Sequence, residues 1–139
     1  TKMDIRKLAV EPTKKLHLRD AADQLIYADE EKTLPVSVNL FGPGSKQYVR
    51  AKAAQSNRLM EKLKRKGKLD QTAEQSASET AEFLSACVES WENIEYGTVT
   101  ETESLSMAIF SDESIGFIAD QVSKELNEWS NFTKPSTKN

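Results

Sequence analysis

The spacing of apolar residues changes at Gly42-Pro43-Gly44-Ser45, and that change constrains the fold more than any other feature of the chain. Before it, in PVSVNLF (35–41), Val36, Val38 and Leu40 alternate with Ser37 and Asn39. A period of two is the signature of a strand with one face buried. After it, apolar residues recur every three or four positions, the period of a helix with one buried stripe. Strands followed by helices define an α+β chain. The expectation is a small N-terminal antiparallel β-sheet of two to three strands followed by about four α-helices.

The sheet is expected within residues 16–44. LHLRD and LIYAD precede the alternating segment and are set apart by the turn-forming stretches DAADQ and DEEKT. Pro35 opens the last strand, where its missing N–H does least harm. Residues 1–15 have no periodicity and read as a flexible arm, with one helical turn around Ile5 to Leu8. At 139 residues the chain is long enough for one modest core, and no period of 20–50 residues repeats. The reading is therefore a single domain over 16–132, β-rich to residue 44 and helical from 45. A polar tail, 133–139, is expected to be disordered.

Each helix has recognisable punctuation. Ser45 is placed to cap a first helix that runs to about Lys66 and stops at Gly67. Its apolar stripe is narrow: Tyr48 or Val49, Ala53, Ser56, Leu59 or Met60, and Leu63. Thr72 and Gln75 have capping-box spacing. The helix they start carries Ala73, Ala77, Ala81, Leu84, Val88 and Trp91 at helical steps, widened by Phe83 and Cys87, and ends before a turn at Gly97. Thr100 and Glu103 repeat the capping spacing ahead of TESLSMAIF. SDES is expected to cap the last helix, with Ile115, Ile118, Val122, Leu126 and Trp129 on one face. Leu84, Val88, Trp91, Ile118, Val122 and Trp129 are the expected structural core, each stabilising by roughly 1.5–3 kcal/mol if fully buried.

Few residues here could support chemistry. His17 is the only histidine and sits in LHL, on an expected strand, where a structural role outweighs catalysis. Without a second soft ligand, no zinc-type set can be assembled. Cys87 falls within an apolar stripe, so its thiol is expected to be raised and unreactive. FGPGS is too short for a phosphate loop, and DEEK lacks the alternating ligands of a calcium loop. The chain is read as a non-enzyme, with no cofactor and no metal. No stretch approaches a membrane span, and the start lacks the apolar core of a signal peptide. With one cysteine, a cytoplasmic setting is expected.

Charge is the sharper signal. The net charge of -3 conceals three blocks. Residues 1–45 balance seven cations against seven anions, 46–68 hold nine lysines and arginines against Glu61, and 69–139 hold three cations against fourteen anions. The basic helix is the candidate partner-binding element, through Arg50, Arg58, Lys62, Arg65 and Lys66. Nucleic acid ranks below protein as the partner, because Tyr48 is the helix's only aromatic residue and the chain as a whole is acidic. If the basic helix of one copy met the acidic helices of the next, the contact would be heterologous and would build rings or open stacks. Self-association is accordingly expected.

Five segments in order carry a resemblance to a family. They are GPGSKQY, the basic RAKAAQSNRLMEKLKRKGK, FLSACVESWENIEYG, TETESL and IADQVSKELNEWSNF. With the N-terminal strand pair that leads into the first of them, they span roughly Leu16 to Phe132. The chain resembles tailed-bacteriophage tail assembly chaperones and related tail-cluster proteins. Ser90 stands where that pattern often has glycine before the tryptophan, and a helix tolerates serine better. The resemblance implies a non-enzymatic assembly factor in the host cytoplasm, binding the phage tape-measure protein and tail-tube protein. It offers no catalytic residues. Two alternatives use the same parts: a structural virion protein of the tail or neck, and a nucleic-acid-binding regulator acting through 46–68.

Overall fold

The structure, a computed structural model, describes residues 1–67 and 72–134. It has the α+β class expected: a three-stranded antiparallel sheet and four α-helices. The strands are β1 (Thr13–His17), β2 (Ser37–Phe41) and β3 (Val88–Glu92), with β2 in the centre. The helices are α1 (Lys46–Lys66), α2 (Ala73–Ala86), α3 (Thr102–Ser111) and α4 (Gly116–Leu126).

Alternation in β2 divides its faces as the sequence requires. Val38 and Leu40 are fully buried in one core with Leu84 of α2, Ile109 of α3 and Val122 of α4. On the opposite face Asn39 Nδ2 donates to Ser90 Oγ and to Glu92 Oε2, both at 2.8 Å, and Lys15 Nζ donates to Glu92 Oε1 at 2.9 Å. This polar row stitches the three strands across the exposed side. Its hydrogen bonds, from Asn39 first and then Lys15, hold the Glu92 carboxyl below the usual carboxylate range. Ser37 is buried although it lies on that same side.

The third strand lies where a helix was expected. The α2 helix stops at Ala86, Cys87 caps its end, and Val88–Glu92 pairs with β2. Apolar steps at 84, 88 and 91 fit a helix equally well, so periodicity alone could not separate the two. What decides it is the open edge of β2, whose backbone groups beside buried Val38 and Leu40 need partners. β3 supplies them, and Phe41 N–H donates to Cys87 C=O at 2.7 Å. The region from 45 to 132 is thus not wholly helical. LIYAD, by contrast, forms isolated bridges, Arg19 to Leu25 and Tyr27 to Pro35, and no strand.

Both ends of the domain also differ from expectation. β1 begins at Thr13, inside the stretch read as an arm. Glu11 N–H donates to Phe132 C=O at 2.7 Å and Gly42 N–H to Pro12 C=O at 2.8 Å, so the packed structure starts before residue 16. A 3-10 turn at Ile5–Leu8 precedes it and buries nothing. At the other end, the apolar series of α4 ends at Leu126, and Trp129 is 57% exposed. The chain turns into a 3-10 segment, Trp129–Phe132, and Phe132 fills the core at 1% exposure. Gly42 makes this fit possible, since a Cβ there would lie 2.3 Å from the Phe132 ring. Residues 135–139 of the expected disordered tail lie outside the described residues.

Cap assignments divide in the same way. The Thr72–Gln75 capping box is present on both sides, with Gln75 N–H donating to Thr72 Oγ1 at 3.1 Å. The Thr100–Glu103 box is not: α3 starts after Glu101 without a side-chain cap. Asp112 caps the 3-10 turn Glu113–Ile115 and not α4 itself.

Candidate functional site

The candidate surface is built on α1. Ser45 Oγ accepts the Tyr48 N–H at 3.1 Å and donates to Gly42 C=O at 2.7 Å, fixing the helix start to the end of β2. Gly67 ends it in the left-handed region, φ 70°, with its N–H on Leu63 C=O at 2.8 Å. Twenty-one residues at about 1.5 Å each make a rod roughly 31 Å long. Only Ala51 of these is buried.

The face turned to the rest of the molecule is rotated from the expected apolar stripe: Tyr48, Leu59 and Leu63 are half-buried, whereas Val49, Ala53, Ser56 and Met60 are exposed. It runs through Tyr48, Ala51, Gln55, Arg58 and Lys62, at helical steps. Tyr48 meets Phe83 edge-on at 5.6 Å between ring centres, and Lys52 Nζ lies 4.7 Å over the Phe83 ring. Arg58 Nε donates to Glu79 Oε1 at 2.6 Å, Nη2 lies 2.5 Å from the same oxygen, and Nε is 2.9 Å from Glu82 Oε2. Lys62 Nζ sits 3.8 Å from Glu79 Oε2. Glu79 is buried at 9% exposure, and an isolated carboxylate there would be costly. Two cations offset that cost. Glu79 in turn raises the Arg58 guanidinium further above its ordinary value, chiefly through their hydrogen bond.

So the five cations of the candidate partner-binding set do not act together. Arg58 and Lys62 serve the α1–α2 contact. Arg50, Arg65 and Lys66 are exposed and form no ion pair among the described residues. The opposite face holds Val49 at 61% and Met60 at 53% exposure, with exposed Ala53 and Ser56 between them. Lys46, Arg50 and Lys64 flank this ridge.

A cleft of 540 Å³ opens between the end of α2, the start of β3 and the first turns of α3. Ala86, Val88 and Met107 line it together with Glu82, Glu103 and Arg58. Sequence periodicity missed this feature, because it needs the strand at 88–92.

Of the expected core residues, Leu84, Val88, Ile118 and Val122 are buried. Trp91 is half-buried on β3, its ring 5.5 Å from Phe110, and its Nε1–H donates to Ser106 Oγ at 2.8 Å. Ser106, fully buried, donates its own O–H to Thr102 C=O at 2.7 Å. Trp129 belongs to the surface, its ring beside Gly44. Cys87 is fully buried, and burial pushes its thiol up to about 12. At that value almost none is thiolate near neutrality. His17 Nε2 is 2.8 Å from Ile26 C=O and its ring meets Tyr27 edge-on, a structural setting.

Among the described residues, no group of three or more His, Cys, Asp and Glu side chains is arranged to hold a metal ion. No described helix is long and apolar enough to cross a membrane. Comparison of the chain with protein-family models, with curated proteins and with solved structures gives no match.

Proposed function

We propose that this chain is a non-enzymatic phage tail assembly factor that binds the tape-measure protein and tail-tube subunits in the host cytoplasm during tail morphogenesis. The observation that supports the reading is the outer ridge of α1. A 21-residue helix leaves Val49 and Met60 in water between lysines and arginines, a form suited to lying along a partner helix. Repeated weak contacts of this kind can keep an extended apolar helix in solution and still release it to an incoming subunit. The spread of the cations favours a protein partner over a nucleic acid, because Arg58 and Lys62 are engaged within the chain.

Co-expression with the tape-measure protein tests the proposal. Recovery of a soluble complex that dissociates when tail-tube protein is added is the expected result. An insoluble tape measure left behind, or stoichiometric retention of this chain in purified virions, would contradict it.

A further inference from the structure

The ridge on α1 and the cleft beside α3 both expose apolar side chains, the ridge beside lysines and an arginine and the cleft beside glutamates, and they face different ways. Val49 and Met60 are eleven residues apart, about three full turns, so they project from one side of the helix. Arg58 follows Val49 by nine residues, about two and a half turns, and projects from the other. Arg58 also lines the cleft. The ridge therefore points away from the cleft of its own molecule, and one chain cannot satisfy both surfaces by itself.

We propose that copies of this chain associate head to tail, the α1 ridge of one copy seating in the cleft of the next. Val49, Ala53 and Met60 would meet Ala86, Val88 and Met107. Lys46, Arg50 and Lys64 on the ridge would lie against Glu103 and Glu82 of the cleft. Charge complementarity singles out a second copy as the occupant. Lys46, Arg50 and Lys64 are exposed beside the ridge, whereas the cleft carries Glu103 and Glu82, the latter shared with Arg58, and the segment 69–139 around it has three cations against fourteen anions. Because the two surfaces differ, each association leaves one ridge and one cleft open, and growth continues into a stack or a ring. The contact needs this chain alone and stands independently of any phage partner.

Sedimentation of the purified chain over a concentration series, at low and at high salt, tests it. The average mass should rise above 15.6 kDa with concentration at low salt and fall back at high salt, where exposed charges are screened. Two variants divide the surfaces using exposed positions. V49E/M60E disables the ridge, and A86R/E103K disables the cleft by placing cations opposite the ridge's own. Each variant alone should stay monomeric at all concentrations, with the circular dichroism of the parent. Mixed in equal amounts, they should form a pair of twice the chain mass that grows no further, since one intact ridge meets one intact cleft. A parent chain that stays monomeric at low salt overturns the proposal, even if ridge or cleft binds some other protein. So do variants that assemble like the parent, or a mixture that forms no pair.

Discussion

Helices α1 and α4 carry similar apolar spacing and end in opposite circumstances. In α4 the residues at helical steps, Ile118, Val122 and Leu126, are all buried. In α1 the comparable residues Val49, Ala53 and Met60 are exposed, and only Ala51 is buried. α4 is held by its apolar stripe and by Gln121, which accepts from Arg19 N–H at 2.7 Å and donates to Arg19 C=O at 2.6 Å. α1 is held by Ser45 at its start, by Tyr48 on Phe83, and by Arg58 between two glutamates. A stripe at helical spacing shows that a face exists; packing decides whether the chain itself covers it.

Substitutions along the two helices can break this contrast. Leu126→Ala should cost about 2–5 kcal/mol, the range for emptying a packed site, and lower the urea midpoint accordingly. A loss under about 1 kcal/mol would mean that α4 is not the anchored helix. Arg58→Ala should cost about 1–3 kcal/mol by stranding the buried Glu79 carboxylate. Glu79→Gln in the same background should recover part of that loss, and no recovery would assign the effect to packing. Met60→Ala, on the ridge, should stay within about 0.5 kcal/mol of the parent at dilute concentration, as for other surface changes. A cost approaching that of Leu126→Ala would place Met60 in a core.

A smaller effect sharpens the comparison from the sheet's side. Glu92 is held below its reference value of 4.5 by Asn39 and Lys15. A lowered folded-state pKa contributes stability that is present above the reference value and lost as pH falls through the folded one. Glu92→Gln should therefore flatten the fall in stability below about pH 4.5, read as urea midpoints between pH 7 and roughly pH 3. An unchanged slope would show that the polar row across the sheet does not discriminate between the charged and neutral carboxyl.

Much of this arrangement was legible in the sequence, because local chemistry fixes it. Ser45, Gly67 and the Thr72–Gln75 pair mark helix ends through bonds made within a turn or two of the backbone. Val38 and Leu40 declare the buried face of β2 through alternation. The rest depended on distant partners. VESWE scans as the end of a helix until the open edge of β2 is considered. Trp129 sits at a proper helical step after Leu126, but the chain has turned at Asn127, and Phe132 takes the core position because Gly42 leaves room for its ring. On α1 a stripe was visible, whereas the outward orientation of its Val49, Ala53 and Met60 side was not. Glu79 and Glu82, on a separate helix, draw the Arg58 side inward and leave Val49 and Met60 outside.

Amide hydrogen exchange at two protein concentrations is the most direct test that α1 presents a face to a partner while α4 anchors the fold. In dilute solution α1 should exchange faster than α4. On concentration at low salt, protection should increase across 46–66 and around the cleft at 86–88 and 102–107, with α4 unchanged. Exchange of α1 that matches α4 in dilute solution, and that ignores concentration, would contradict the account.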